Sequence, residues 1–410
     1  MMALSARLWR LPSRFCASSA VLASKRCLGR VECKSSTLLL VDSRHYNNNG
    51  SVNPPCPQRV SSVRGYAQHP TPDAASRNRL MWLVYFSGFI GAFMFFAVIR
   101  REFKKYQKKK RGIVEMKIPA FGHRIFICKY KDFVLFDTVG QNIEELERFA
   151  VREDDVWLVG WPRSGTTWSQ EIIYLIQTGL DFEGAGSAPL DDRFPYLEFQ
   201  YPGYEAIAKY PSPRLIKSHL PFHLLPGDIH VKKPKIIYIA RNPKDIIVSY
   251  YHFIRMLLPF RFTGQFPEFF NLFLSDQLPY SPWWKHVREF WEHRNENNIL
   301  FIKYEDLQKD LRGVIREISQ FLGKNLTEEQ VEAIAEHCTF HKMKTNHCVN
   351  HTWFENLGLK RKGEADFIRK GRIGDWKNYM TAEMSGRVDK LLEQKLGDTD
   401  LNFEFSPQEE

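Results

Sequence analysis

The sequence contains few cysteines and, over its first quarter, few acidic residues. Seven cysteines occur in 410 residues, and only Cys128, Cys338 and Cys348 lie beyond residue 112. Cysteines this scattered give no sign of a disulfide framework and favour a reducing compartment. Residues 1–112 contain 20 Lys and Arg against 4 Asp and Glu, whereas the remaining residues contain 38 and 43. The basic charge is therefore local, and because the rest of the chain is slightly acidic, we predict no nucleic acid partner.

One run of twenty residues, 80–99, has no charged side chain. As a helix it is long enough to cross about 30 Å of hydrocarbon. Arg77 and Arg79 precede the run, and eight Lys and Arg follow it between Arg100 and Arg111, as interfacial anchors do. The sequence thus predicts a transmembrane helix over 80–99 and a basic juxtamembrane segment over 100–112. A buried core helix is the alternative.

The residues ahead of this run have the composition of a targeting segment. Residues 1–31 contain six Lys and Arg and no acid, among Ser, Ala and Leu, which is typical of a mitochondrial presequence. Arg64 lies three residues before Ala67, as at presequence processing sites. We predict a presequence with a disordered segment over 1–66, a linker over 67–79, and a single-pass protein of the mitochondrial inner membrane. A disordered basic tail, or an endoplasmic reticulum or Golgi protein with its catalytic domain facing the cytosol, is the alternative.

From residue 113 to 410, strand patterns alternate with helix patterns. Short apolar runs predict buried strands at 156–159, 235–240 and 299–302, and a further short strand is predicted at 214–219, after an opening hairpin at 125–127 and 133–136. Helices are predicted at 169–177, at 244–257 and from Thr327, where Thr327 and Gln330 have the spacing of a capping box. Continuously apolar strands separated by helices predict one α/β domain over 113–410, with a parallel sheet covered by helices on both faces.

A glycine-framed loop follows the first buried strand, since residues 160–168 read GWPRSGTTW. A strand, a tight loop and a helix in this order form an anion site from backbone N–H groups and the helix dipole. The glycine spacing fits a P-loop, but Thr166 stands where the P-loop Lys is expected, and the cation is Arg163 inside the loop. This departure argues against a P-loop kinase or NTPase, which remains an alternative, as does a purely structural turn.

The loop is one of four ordered segments that resemble the soluble-type sulfotransferases, which use 3′-phosphoadenosine 5′-phosphosulfate (PAPS). The other three are KSHLP at 217–221, YIARNPKDIIVSYYHF at 238–253 and RKGRIGDWKN at 369–378. Together they cover roughly residues 115–405. The resemblance implies a P-loop-like sulfotransferase fold and PAPS as co-substrate, with no metal.

The resemblance also implies which side chains act in catalysis. His219 would be the general base, because a neutral imidazole can accept the hydroxyl proton near pH 7. Lys217, two residues earlier on the same side of a strand, and Arg163 would offset charge on the sulfonyl and phosphate oxygens. The family usually has Lys where Arg163 stands. Since a guanidinium stays charged, Arg163 is not expected to donate a proton to the leaving phosphate.

Further residues would bind the nucleotide, again by resemblance. Arg241 and Ser249 would hold the 3′-phosphate, on which Arg369, Lys370 and Gly371 would close. An ordinary ion pair for Arg241 and a solvated charge run at 369–371 are the alternatives. The rest would hold the 5′-phosphosulfate and the adenine, and they are Arg163, Ser164, Gly165, Thr166, Thr167, Trp168, Tyr304, Cys338, Thr339, Phe340 and Met343.

Aromatic residues cluster at 193–198, 250–253 and 282–284. These clusters predict the chemical class of the acceptor. Apolar walls suit a small hydrophobic alcohol or phenol, although core packing explains these residues equally well. A membrane-anchored carbohydrate sulfotransferase is an alternative. Ala382 and Gly386 replace the Val and Glu of the family's dimer contact, which makes that contact doubtful. A zinc site in the Cys and His residues between 338 and 351 lacks the expected ligand pairs.

Overall fold

The computed structural model describes residues 73–122 and 127–407, which fall into two compact units divided between Lys104 and Lys105. The predicted presequence at 1–66, and the linker as far as residue 72, lie outside the described residues. Helix α1 (Ala74–Lys110) contains the predicted span of 80–99. By length and composition its stretch Arg77–Lys110 can cross a membrane, and no residue of its apolar window is buried.

The second unit opens with a small antiparallel sheet. Its strands are β1 (Val114–Met116), β2 (Ile127–Tyr130) and β3 (Phe133–Phe136), in the order β1-β2-β3. The predicted hairpin is confirmed for β3, but β2 continues to Tyr130 because Ile127 pairs with Phe136 and Tyr130 with Phe133. Residues 125 and 126 of the predicted strand are outside the described residues. Strand β1 was not predicted, since its three residues, Val-Glu-Met, are too short for their alternation to stand out as a strand pattern.

The parallel sheet has four strands in the order β5-β4-β6-β7. They are β4 (Val156–Val159), β5 (Leu215–Ser218), β6 (Lys235–Ala240) and β7 (Ile299–Lys303). All three strand pairs are parallel. All four predicted strands are thus confirmed, within one residue at each end.

Helices cover both faces of this sheet. Neighbouring strand residues enter separate buried clusters: Trp157 packs in one, and Leu158 in the other. The remaining helices are α2 (Asp137–Gln141), α3 (Ile143–Glu147), α4 (Thr166–Thr178), α5 (Phe182–Ser187), α6 (Leu190–Arg193), α7 (Tyr204–Ile207), α8 (Asp228–Lys232), α9 (Pro243–Met256), α10 (Phe266–Leu274), α11 (Trp283–Glu292), α12 (Tyr304–Lys309), α13 (Leu311–Phe321), α14 (Glu328–His337), α15 (Phe340–Thr345), α16 (Trp353–Asn356) and α17 (Ala382–Leu396). The predicted α/β class with a sheet covered on both faces is confirmed.

Glycine and polar residues determine where three of the helices begin. Helix α4 begins at Thr166, three residues before the predicted start, because Gly165 turns the chain with φ +105°. Helix α9 begins at Pro243 after Asn242, whose side chain accepts a hydrogen bond from the Asp245 N–H. The capping box at the start of α14 is present.

The ends of the parallel strands gather the predicted site residues. Gly160 follows β4, His219 follows β5, Arg241 follows β6, and Tyr304 follows β7. Val159 pairs with both Ser218 and Tyr238, so these ends meet at one edge of the sheet. Ligands of such sheets bind in the crevice outside this edge.

Candidate active site

The glycine loop between β4 and α4 has a shape that two glycines make possible. A Cβ at Gly160 would lie 2.7 Å from the carbonyl oxygen of Ile239, and one at Gly165 would lie 2.7 Å from the ring of Tyr304. Arg163 also has a positive φ of 73°, which is uncommon for a residue with a Cβ. The backbone is therefore held in a tight turn that packs directly against β6 and Tyr304.

Two buried hydroxyls, one in this loop and one in the first turns of α4, lack partners among the described residues. Among the described residues, the buried hydroxyls of Ser164 and Ser169 have no hydrogen-bond partner. The N-cap residue Gly165 has no side chain that could accept from the first amides of α4. Buried polar groups are normally hydrogen-bonded. The free hydroxyls and the helix N-terminus therefore fit the oxygens of a bound phosphate or sulfate group.

Arg163 turns toward the far wall of the crevice. Its Nε donates to the Ser249 hydroxyl at 3.1 Å, and its Nη2 donates to the carbonyl of Phe367 at 2.7 Å. The guanidinium lies 5.2 Å from the ring centre of Phe253 and 4.7 Å from that of Phe367. Burial, together with the positive charges of neighbouring arginines, lowers its pKa to about 9. Arg163 and Ser249, which were expected at opposite ends of the nucleotide, thus lie in contact.

Arg241 lies beside this pair without a counter-ion. Its guanidinium lies 4.2 Å from the ring centre of Tyr304, and it donates at 3.3 Å to the carbonyls of Arg163 and Arg372. Its Nε has no partner, and no carboxylate of the described residues lies within ion-pair distance. An ordinary ion pair is therefore not observed, and a buried, unpaired cation of this kind suits a phosphate.

The basic segment at 369–371 is folded onto the crevice. Arg369 and Lys370 both contact the buried carboxylate of Asp375 at 2.5 Å. Burial alone would raise the pKa of Asp375, but hydrogen bonds from these cations hold it well below the usual range. Asp245, at the start of α9, accepts hydrogen bonds from the N–H groups of Gly374 and Trp376 at 2.8 and 3.0 Å. The segment is therefore an ordered wall of the site, and a freely solvated charge run is not observed.

The predicted adenine residues form two groups. Trp168 donates to the carbonyl of Cys338 at 2.9 Å and meets Tyr304 edge-on, with ring centres 5.8 Å apart. In the second group, Phe340 is 39% exposed, and a side chain at Gly371 would collide with its ring. Thr339 donates to the carbonyl of Glu336 at 3.1 Å, and Met343 is buried in the core behind it.

His219 is buried, with its ring fixed by the glycine loop. Its Nδ1 contacts the carbonyl oxygen of Gly160. Because a carbonyl can only accept, Nδ1 carries the proton and Nε2 keeps a free lone pair. Burial and the charge of Lys217 hold the pKa of His219 well below its usual value. The imidazole is therefore neutral at pH 7 in the tautomer that a general base requires.

Lys217 and two tyrosines surround this imidazole. Lys217 Nζ lies 4.9 Å from the ring centre of Tyr196. Burial lowers the pKa of Lys217. Tyr196 and Tyr280 meet the His219 ring edge-on at 5.0 and 5.6 Å, and their hydroxyls are hydrogen-bonded to each other. The base and the cation thus face an aromatic wall suited to an apolar acceptor.

Glu198 is a buried carboxylate to which sequence reasoning gave no role. Its Oε1 accepts from the Ser218 hydroxyl at 3.0 Å and from the His219 N–H at 2.7 Å. Its Oε2 has no partner among the described residues, and burial raises its pKa to about 7. Glu198 therefore fixes the backbone of the base. The signal for this role in the sequence is an acidic residue between the apolar residues Leu197 and Phe199.

No group of three or more His, Cys, Asp or Glu side chains could hold a metal ion within residues 73–122 and 127–407. In the segment considered for zinc, Cys338 and Cys348 are buried, and the Cys348 thiol donates to the carbonyl of Gly186 at 3.3 Å. Burial holds the pKa of the Cys338 thiol well above its usual value.

Comparison with known proteins places this geometry in a family. The sulfotransferase domain family matches residues 153–400. Human Sulfotransferase 4A1 is 43% identical over 264 residues, which are 64% of this chain and 88% of that protein. Rabbit amine sulfotransferase is 41% identical over 266 residues, 64% of this chain and 87% of that protein.

A solved structure of similar fold supports the same assignment. Retinol dehydratase in a complex with retinol and PAP is 30% identical, with a TM-score of 0.66, over 71% of this chain and 98% of that one. The predicted PAPS-dependent sulfotransferase and its co-substrate are confirmed, whereas the site residues remain predictions. Since the domain match spans more than half of the sequence, the chain belongs to the sulfotransferase family.

Proposed function

We propose that this chain transfers the sulfonyl group of PAPS to a hydroxyl or amine of a small hydrophobic acceptor, with His219 as the general base. The observation that carries the proposal is the contact of His219 Nδ1 with the Gly160 carbonyl, which leaves Nε2 free to accept a proton. The low pKa of the ring keeps it neutral at physiological pH. A neutral base beside a phosphate-binding loop is the arrangement that sulfonyl transfer requires.

The reaction transfers one sulfonyl group to the acceptor and one proton to the base, and PAP is the leaving group. PAPS, when bound, supplies the sulfonyl group, and its sulfur–oxygen bond to the phosphate breaks as the acceptor atom bonds to sulfur. His219 Nε2 takes the acceptor's proton. Lys217, which is buried, offsets negative charge on the oxygens near it. The guanidinium of Arg163 lies between the rings of Phe253 and Phe367. We therefore assign two roles to Arg163: its charge stabilises negative charge in the crevice, and its contacts hold these two rings in the acceptor wall.

We assign binding of the 3′-phosphate to Arg241, Ser249 and residues 369–371. Arg241 has a free Nε and no counter-ion among the described residues. Charge-assisted bonds from arginine to phosphate are strong and directional. This site distinguishes PAPS from ATP, which has no 3′-phosphate.

We expect the detergent-solubilised full chain to bind 3′,5′-adenosine diphosphate (PAP) far more tightly than ADP in isothermal titration calorimetry. The two nucleotides carry the same number of phosphates, so a difference measures recognition of the 3′ position. Equal affinities would contradict the assignment of the phosphate-binding residues.

We also propose that residues 80–99 anchor the protein as a single membrane span, after import and cleavage near Tyr66, in the mitochondrial inner membrane. The helix over these residues exposes its large apolar side chains, for example Trp82 and Phe89. Burying them in lipid is worth roughly 25 cal/mol per Å² of apolar surface.

The protein is expected to remain in membranes after a carbonate wash, because a spanning helix must be extracted whole. N-terminal sequencing of the mature protein tests the presequence. Release by carbonate would contradict the span. An intact Met1 in endoplasmic reticulum or Golgi membranes would contradict the mitochondrial location and leave the chemistry untouched.

A further inference from the structure

A buried histidine to which the proposed reaction gives no role contacts the backbone of the base. His286 belongs to α11, and no part of its surface is exposed. Its Nε2 lies 3.0 Å from the carbonyl oxygen of His219, and its Nδ1 lies 2.9 Å from the Tyr238 hydroxyl. His286 therefore connects β6, which contains Tyr238, to the residue that carries the base.

These two hydrogen bonds determine where each proton lies. Because the carbonyl oxygen of His219 can only accept, Nε2 of His286 carries the ring proton and donates it. Nδ1 is then an acceptor, and the Tyr238 hydroxyl is its donor. Burial holds the pKa of Tyr238 well above its usual value and lowers the pKa of His286 to about 4, so both groups are uncharged at pH 7. Both ring nitrogens of His286 are thus engaged, and the ring has no polar atom left for a substrate.

His219 is held at three points in this way. Its N–H donates to Glu198 at 2.7 Å, its carbonyl accepts from His286 at 3.0 Å, and its ring Nδ1 contacts the Gly160 carbonyl. Strand β5 ends at Ser218, so His219 lies just beyond the regular pairing of β5 with β4. Side chains from other segments therefore fix both backbone polar groups of the base.

We propose that His286 is a positioning residue: its bond to the His219 carbonyl holds the imidazole where Nε2 of His219 can reach the acceptor's proton. This inference rests on the proposed function of His219. Rotation of the backbone at His219 carries the ring with it, so a bond to the backbone also limits where the ring points. Displacement of a reacting group by about 1 Å can lower a rate by about 10²-fold.

The test uses two amide side chains that differ in reach, in the detergent-solubilised full chain. The amide nitrogen of His286→Gln can take the place of Nε2 and keep the bond to the His219 carbonyl, whereas the shorter amide of His286→Asn reaches only as far as Nδ1. We expect His286→Asn to lower kcat by about 10- to 100-fold and His286→Gln to stay within about fivefold of wild type. The Kd for PAP should change by less than about threefold in both, because His286 contacts no residue assigned to the nucleotide.

Single-turnover transfer to 4-ethylphenol and to hexan-1-ol, one phenol and one alkyl alcohol, measures kcat. In the His219→Ala background, His286→Asn should lower the residual rate by less than about twofold, because no base remains to be positioned. Equal losses with and without the His219 imidazole would overturn the proposal, as would equal kcat values for the Asn and Gln variants.

Val287→Ala is the matched control for lost packing, because Val287 is the next residue of α11 and is fully buried. It should lower the melting temperature and leave kcat within about twofold of wild type. If His286→Asn does not fold, Tyr238→Phe carries the test, since it removes the donor to Nδ1 and keeps the ring stacked on Phe290 with centres 4.1 Å apart.

Tyr238→Phe is expected to lower kcat by about three- to tenfold, the effect of losing one hydrogen bond. An unchanged kcat would overturn the proposal. Failure of the proposed function has a different signature: His219→Ala would retain turnover within about threefold of wild type, or the wild type would transfer to neither acceptor.

Discussion

His219→Ala is expected to lower kcat by about 10²- to 10⁴-fold while leaving the affinity for PAP nearly unchanged. The ring is held by the Gly160 carbonyl with Nε2 free, so its loss removes the proton acceptor and no nucleotide contact. Single-turnover sulfonyl transfer measures the first quantity, and calorimetry measures the second. His223→Ala is the matched control, because His223 lies four residues further on and pairs with Glu289 at 2.9 Å. Turnover of His219→Ala within threefold of wild type would remove His219 from the mechanism.

The pH profile gives an independent check on the base. A base acts in its unprotonated form, and the pKa of His219 lies well below 6.5. The acid limb of kcat/KM that belongs to His219 should therefore lie below pH 6.5, with a plateau above it. Glu198, whose pKa is raised to about 7, touches the His219 backbone and titrates within this plateau. A limb near pH 7 that disappears in Glu198→Gln would come from Glu198 and would leave the role of His219 intact.

The sheet could be predicted because its strands are continuously apolar. Strands 235–240 and 156–159 are buried on both faces and so stand out from their surroundings in the sequence. Once the strands are parallel and adjacent, their carboxyl ends meet at one edge. The positions of Gly160, His219 and Arg241 around one crevice then follow without side-chain detail.

The directions of side chains could not be predicted in this way. Arg163 bonds to the carbonyl of Phe367, which lies 204 residues further along the chain, and nothing in the loop sequence encodes that partner. The role of Glu198 also depends on a contact across the chain, to the backbone of His219. Such contacts form when separate segments pack over the sheet edge, and they are decided by tertiary packing.

Helix starts were predicted to within a few residues, and the error at α4 has a physical cause. The pattern of apolar residues begins after Trp168, whereas the helix begins at Thr166 because Gly165 adopts a left-handed conformation. Amphipathic periodicity reports burial, whereas the first turn of α4 is determined by the backbone conformation of Gly165. The residues that this first turn contributes are those expected to contact the phosphosulfate.

Arg241→Ala is expected to weaken PAP binding by about 2–3 kcal/mol, which corresponds to a roughly 30- to 150-fold higher Kd. The guanidinium has no counter-ion among the described residues and packs on the ring of Tyr304, so its charge is available to the 3′-phosphate. Affinity for ADP, which lacks that phosphate, should change by less than about threefold. Titration of wild type and variant with both nucleotides forms a double-mutant cycle, in which the coupling energy isolates the contact between Arg241 and the 3′-phosphate from any general loss of the fold. Arg241→Lys keeps the charge without the planar fork, and its affinity for PAP should lie between that of the wild type and that of Arg241→Ala. Equal losses for PAP and ADP would place Arg241 away from the 3′-phosphate, and the contacts of Ser249 and Arg369 would then have to account for recognition of that group.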